Sequence, residues 1–176
     1  MTLDQLVKLP YQAMKTWAEA RKGRATVARD PLDVLILLTQ GPAGFLVIFL
    51  WDGDSASEIG ADETDVDQSG AVEVHPPATN RIEVIIGRNL GLDVRKDWAL
   101  IAERDGRAPL LKLVNEARAK MLALVYPDDA TSLRRFVYRG CDSVSLPDGF
   151  PLAAYKLRFE LVATVDVEDE EEVLTT

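Results

Sequence analysis

The sequence predicts an α+β fold, with a mostly antiparallel sheet, two main helices packed on one face, a long acidic loop and an acidic C-terminal tail. Two observations predict this class. Segments with the two-residue alternation of strands are separated by segments with helical apolar spacing. Runs of strands between helices are typical of α+β domains. The chain of 176 residues suits one domain, which we assign to 1–165, followed by a flexible acidic tail at 166–176.

The first predicted helix covers residues 2–22, where apolar residues recur near helical spacing. Pro10 lies inside this segment, so we expect a kink or a split there. The segment lacks the basic region, the apolar run and the cleavage site of a signal peptide. It therefore predicts an amphipathic helix.

The next passage, 32–53, is the most apolar in the chain. Its centre is Gly-Pro-Ala-Gly at 41–44, which interrupts a run that otherwise has the length of a membrane helix. We expect two strands around this connection, forming a hairpin over 34–51 that is covered on both faces because both faces are apolar. A membrane segment and one longer buried helix are the alternatives.

Residues 52–80 carry Gly, Asp, Ser and Pro with little periodicity, so we expect a long acidic loop there. A small hairpin arm, formed by 55–60 and 71–75, is one arrangement of this loop. Residues 81–88 then alternate as a strand, with the apolar side chains on one face and the charged ones on the other.

A helix is predicted from Pro109 to about Tyr126, because apolar residues recur at i, i+3, i+4 and i+7 and Pro127 ends the pattern. Two strands follow, at 133–146 and 151–165, around a Pro-Asp-Gly turn. In the second strand, the alternation places two sets of side chains on opposite faces. The apolar set includes Leu157, Phe159 and Leu161, and the polar set includes Lys156, Arg158 and Glu160.

The formal net charge is −9, which argues against a general nucleic-acid-binding protein because phosphate neutralisation needs clustered Lys and Arg. The acids are unevenly placed. Residues 52–74 hold eight carboxylates and residues 166–172 hold six, with no base in either segment. The rest of the chain has 20 bases and 15 acids. This remaining part of the chain carries a net positive charge and can bind an acidic partner, whereas the acidic segments repel one.

The single cysteine, Cys141, excludes an intrachain disulfide and suits a reducing compartment. We expect it to be a small packed hydrophobe and not a nucleophile. The only histidine, His75, lies in the predicted loop before two prolines and has no neighbouring nucleophile motif. We expect it to be an exposed loop residue.

Residues 65–70 copy the first six positions of a calcium-binding loop, with oxygen ligands at positions 1, 3 and 5 and glycine at 6. Position 12 is Pro76 where a bidentate glutamate is needed, so we expect a solvated acidic turn and no metal site. Residues 87–91 form a glycine-spaced turn that lacks a phosphate-binding pattern. No catalytic set converges, and we expect neither an enzyme nor a cofactor.

Three arginines, Arg134, Arg135 and Arg139, form the best basic patch in the chain. We interpret them as candidates for binding an acidic protein surface, although a solvated strand face is the simpler reading for each one alone.

The order of elements resembles the tail terminator, or tail-completion, proteins of long-tailed bacteriophages. The matching features are the first helix at 3–21, the apolar hairpin at 34–51 and the long loop at 52–80. They continue with the strand at 81–88, the helix near "APLLKLVNEARAKMLALVYPDD" and the strand pair ending in "YKLRFELVATV". The resemblance covers nearly the whole chain and rests on architecture.

This resemblance implies a hexameric ring, a homo-oligomer that caps the tail tube, stops its polymerisation and joins it to the head. The implied partners are the major tail tube protein and the head-proximal connector or stopper protein. DNA would pass through the lumen without specific binding, and no membrane is involved. The implied location is the head-proximal end of the virion tail, after assembly in the host cytoplasm.

An acidic lumen would repel the phosphate backbone of passing DNA. Our hypothesis is that an acidic loop with Asp62, Glu63, Asp65 and Asp67 faces either the lumen or a neighbouring ring. The alternatives are another head–tail neck or connector component, and a small cytoplasmic enzyme or ligand-binding domain that holds a divalent metal in its acidic loop. A membrane-associated protein that uses residues 32–51 is a further alternative.

Overall fold

The computed structural model of the chain describes residues 3–39, 45–56, 78–89, 101, 108–128, 132–145 and 152–163. In chain order, the elements in these ranges are α1 (Leu3–Glu19), β1 (Arg24–Ala28), α2 (Pro31–Thr39), β2 (Phe45–Ala56), β3 (Ala78–Asn89), α3 (Leu110–Leu122), β4 (Val125–Asp128), β5 (Ser132–Arg135), β6 (Val137–Ser143) and β7 (Leu152–Ala163).

Five strands form one mixed sheet in the order β1-β2-β3-β7-β6. β1 is parallel to β2, and the three other neighbouring pairs are antiparallel. β4 and β5 form a separate antiparallel pair. The sheet is therefore mostly antiparallel, and the predicted α+β class is confirmed.

The two main helices, α1 and α3, pack on the same face of the sheet, called face A here. Their apolar residues meet alternate residues of the strands, and the Trp17 ring lies edge-on to Phe45 with 5.4 Å between centroids. Glu116 on α3 accepts hydrogen bonds from Trp17 Nε1 (3.3 Å) and Arg21 Nε (2.8 Å), which ties the end of α1 to α3. The predicted apolar face of α3 is confirmed, since its buried residues are Leu110, Leu113, Val114, Ala117 and Met121.

The predicted hairpin over 34–51 is wrong in its first half. Residues 31–39 form the helix α2, which connects two parallel strands, β1 and β2, and packs on the opposite face of the sheet, called face B. Asp30 caps this helix, because its Oδ1 accepts a hydrogen bond from the Asp33 backbone N–H at 2.8 Å. Parallel strands cannot be joined by a tight hairpin, so a crossover element is required between them.

The second half of the hairpin prediction is correct. Phe45 to Leu50 form a strand in which every residue is buried, because α1 and α3 cover face A and α2 covers this part of face B. Gly87 on β3 allows α2 to approach closely, since a Cβ at this position would overlap the Leu38 Cδ2 atom.

Several predicted boundaries differ from the structure. α1 continues through Pro10 as one helix, and α3 ends at Leu122 because the chain from Val125 pairs with β5. The strand predicted at 133–146 is divided into β5 and β6 at the buried Phe136. Both ends of the loop predicted at 52–80 belong to the paired strands β2 and β3.

Residues 57–77 and 164–176 lie outside the described residues. The predictions for the hairpin arm and the acidic tail therefore remain predictions. Among the helices that the structure describes, none is long and apolar enough to cross a membrane.

Candidate assembly surface

The part of face B that α2 leaves uncovered is a continuous set of charged side chains from β3, β7 and β6. We call it the charged face. It consists of Arg81, Glu83, Arg139, Asp142, Lys156, Arg158 and Glu160. Four bases and three acids make it slightly positive. Strand alternation explains its origin, because the residues between these on β3 and β7 point into the core of face A.

The register of the sheet places opposite charges next to each other. Arg81 lies directly across from Glu160, and Glu83 lies across from Arg158. On the other side of β7, Asp142 lies across from Lys156. Opposite charges at such cross-strand positions are mutually stabilising. The charges on these three strands form two groups of ion pairs, one around Glu83 and one around Glu160.

Glu83 is at the centre of the first group and is the one acid that is buried among the described residues, at 7% exposure. Its carboxylate lies 2.8 Å from Lys156 Nζ and 3.8 Å from Arg158 Nε. Arg158 also pairs with Asp142. A buried carboxylate needs such partners, because its desolvation would otherwise be costly.

Glu160 forms the second centre. It accepts a hydrogen bond from Arg139 Nε at 2.6 Å and lies 3.4 Å from Arg81 Nε. Both arginine side chains are about half exposed, so their guanidinium groups keep donors on the solvent side. These two arginines can therefore bind a further carboxylate while they keep their contacts with the Glu160 carboxylate.

A cleft of about 430 Å³ separates α2 from the charged face. Its apolar wall includes Val34, Leu35 and Leu50, and its polar wall includes Glu83 and Lys156. Apolar and charged groups thus lie side by side at the surface. An apolar centre with a polar rim is the usual anatomy of a protein–protein contact.

The structure places the three predicted arginines in two different sheets, the five-stranded sheet and the β4–β5 pair. Arg139 belongs to β6 and to the charged face, where it pairs with Glu160. Arg135 is exposed on β5, which pairs with β4. Arg134 faces Tyr126 in the same ladder, and its side chain lies outside the described part of the structure. The acidic loop residues Asp62, Glu63, Asp65 and Asp67 also lie outside it.

Strand alternation in the sequence did not identify Arg81, Glu83, Lys156, Arg158 and Glu160 as a site. It assigned the last three to the polar face of one strand, which the structure confirms. A signal did exist, because antiparallel pairing of "RIE" with "KLRFE" brings each Arg opposite a Glu. Finding it requires the register between β3 and β7, which alternation alone does not define.

Cys141 is exposed on β6, so the expectation of a packed residue is wrong. It lies on the edge strand of the sheet, where one side has no covering strand among the described residues. Partial burial raises the pKa of the thiol, the Asp142 carboxylate raises it further, and Arg118 lowers it. The thiol is therefore protonated at neutral pH, which argues against a nucleophile.

No group of three or more His, Cys, Asp or Glu residues that could hold a metal ion occurs in the described ranges. The calcium-loop-like segment at 65–70 and His75 are outside those ranges. No protein-family model matches the chain, and no curated protein is significantly similar to it.

Proposed function

We propose that this chain is a structural virion protein, a tail terminator that caps the tail tube of a long-tailed bacteriophage as a ring. In this role it stops polymerisation of the tube and forms the joint to the head connector. The proposal combines the order of elements in the sequence with the surface described above, and it assigns no catalytic step to the chain.

The observation that supports this proposal most is the charged face. It is an ordered set of ion pairs on an open sheet face beside a partly apolar cleft. Surface charges contribute to the specificity and the rate of protein association more than to affinity when a partner presents complementary charges. Such a surface is compatible with docking onto a protein partner of complementary charge.

The acidic segments and the arginines have separate roles in the proposal. Arg134, Arg135 and Arg139 contact an acidic surface of the tube or of a neighbouring copy. Asp62, Glu63, Asp65 and Asp67 face the lumen or the next ring, where negative charge repels passing DNA. The half-exposed guanidinium of Arg139 is compatible with this role because it can bind a second carboxylate.

A tube-elongation assay tests the proposed function. Tail tube subunits are allowed to polymerise from a baseplate-bound start, and the chain is added during growth. We expect elongation to stop and an added density to appear at the growing end in negative-stain images. Continued growth at the same rate, with bare ends, would contradict the proposal.

The same preparation distinguishes a terminator from another neck component. Purified tails and DNA-filled heads are incubated separately with the chain, and binding is measured by co-sedimentation. Binding to tails in the absence of heads is expected for a terminator. Binding only to heads would assign the chain to the head side of the joint.

A further inference from the structure

We propose that copies of this chain join through their sheet edges, with β1 of one copy pairing with β6 of the next. The occupant of each edge is therefore a second copy of the same chain. This inference rests on the proposed ring-forming function and identifies the contact that would build the ring.

The first reason is the topology of the sheet. β1 and β6 are its two outermost strands, and in the described residues β1 pairs only with β2 and β6 only with β7. An outermost strand presents main-chain N–H and C=O groups along its free side. These groups are satisfied when another strand adds to the edge.

The second reason is that the two edges are different strands. A β1–β6 contact uses one edge of each copy and leaves the other edge open, so it is a head-to-tail contact. Head-to-tail contacts form rings when the rotation closes. Contacts between identical edges, such as β6 with β6, would stop at dimers and could not produce a ring.

The third reason is the side chains that the edges expose. Val27 on β1 is 46% exposed, and Val137 on β6 is 48% exposed. Both would lose contact with water when a neighbouring strand is added, which favours association. Arg24 on β1 and Asp142 on β6 carry opposite charges, and both are exposed, with Asp142 already paired with Arg158 of the same copy.

A bulge in β6 restricts where pairing takes place. The register with β7 shifts between Tyr138 and Gly140, and Gly140 has a φ of 139°, which favours glycine. The regular part after the bulge ends in Cys141, Asp142 and Ser143, whose side chains are all exposed. Bulges and short edge strands limit strand addition, so pairing at this edge is confined to these three residues.

Cys141 provides a native cross-linking site on one edge, and Val27→Cys adds one on the other. Within one copy, three strands lie between β1 and β6, so the two positions are four inter-strand spacings apart, which is about 19 Å at about 4.8 Å per spacing. A short bifunctional maleimide cannot connect them inside one chain. The reagent is preferable to disulfide formation, because a disulfide forms only when the two Cβ atoms lie within about 4.5 Å of each other, whereas the reagent spans a longer gap.

We expect the Val27→Cys chain to give trimers and larger covalent species on a denaturing gel, alone or with tail tubes. The wild-type chain, with Cys141 alone, can give no species larger than a dimer. Leu32→Cys is the matched control, because Leu32 is 66% exposed and belongs to α2 and not to either edge strand. Arg24→Cys provides a second position on β1 if Val27→Cys does not fold.

Failure of this inference can be separated from failure of the proposed function. The edge contact would be overturned, and the terminator role left intact, if rings or capped tubes form but Val27→Cys gives no covalent species larger than those of the Leu32→Cys control. Covalent trimers with no binding to tubes would support the edge contact and contradict the terminator role. If neither covalent trimers nor binding to tail tubes is observed, the edge contact and the terminator role are both overturned.

Discussion

At the scale of single residues, Glu83 joins two bases of the charged face, Lys156 and Arg158. It is buried, yet its partners Lys156 and Arg158 are partly exposed, so solvent weakens each pair. The carboxylate therefore contributes little Coulomb energy to stability, and its main effect is to hold the side chains of the two neighbouring bases in place.

We predict that Glu83→Gln lowers the free energy of unfolding by about 1–2 kcal/mol, because it leaves two bases facing a neutral amide. Asp142→Asn is the matched control. It makes the same change at a half-exposed carboxylate and should cost less than about 0.5 kcal/mol. Urea unfolding measures both, and equal losses in the two variants would contradict the central position of Glu83.

At the scale of elements, α2 shows why part of the fold was predicted and part was not. Its apolar run "VLILL" is consistent with a buried strand or a buried helix, since periodicity does not separate the two in short runs. The Asp-Pro start is a helix signal that the strand interpretation overlooked. By contrast, the longer patterns of α3 and β7 were predicted correctly because each repeats over several turns or pleats.

The site could be predicted less well than the fold. Alternation assigned Lys156, Arg158 and Glu160 to one strand face, but the partners of these residues depend on contacts between β3, β6 and β7 that are distant in sequence. Arg139 was selected as part of a local basic run, whereas its actual neighbour is Glu160. Pairings of this kind require the three-dimensional register.

The close approach of α2 to β3 gives a prediction for the packing of face B. Gly87→Ala places a methyl group against Leu38, so we expect a loss of about 1–3 kcal/mol in the free energy of unfolding. In a Leu38→Ala background the same change should cost less, because the clashing side chain is absent. Additive losses in the double variant would contradict this contact as the cause.

The start of α2 gives a prediction for pH dependence. The hydrogen bond from the Arg29 backbone N–H lowers the pKa of Asp33 below its ordinary value. A lowered folded-state pKa means that the stabilisation is present above the ordinary pKa of about 3.9 and is lost as the pH falls through the folded-state pKa.

We therefore expect Asp33→Asn to be less stable than the wild type at pH 7, with a difference that shrinks as the solution is acidified below pH 4. Urea midpoints for both proteins across this range provide the measurement. Lys15→Gln, on the exposed side of α1, is a charge-change control that should show no such convergence. A pH-independent difference for Asp33→Asn would contradict the ionised hydrogen bond.

At the scale of the whole molecule, the proposed function assigns the arginines and the acidic segments to two different contacts. Converting Arg134, Arg135 and Arg139 to Glu should abolish capping of tail tubes, because it places negative charge against an acidic surface. The monomer should stay folded, with a free energy of unfolding lowered by about 1 kcal/mol at most, because the Arg139–Glu160 pair that is lost is half exposed. Lys112→Glu together with Lys120→Glu, on the exposed side of α3, is a charge-reversal control that should keep capping. Normal capping by the arginine variant would remove these residues from the interface.

The central claim is that this chain assembles as a ring on the end of a tail tube. Light scattering of the purified, detergent-free protein, alone and mixed with tail tubes, tests it most directly when combined with negative-stain imaging. We predict a mass of about six subunits for the free protein, or a cap on tube ends when the ring forms only on its template. A monomer that leaves tube ends bare under both conditions would contradict the claim.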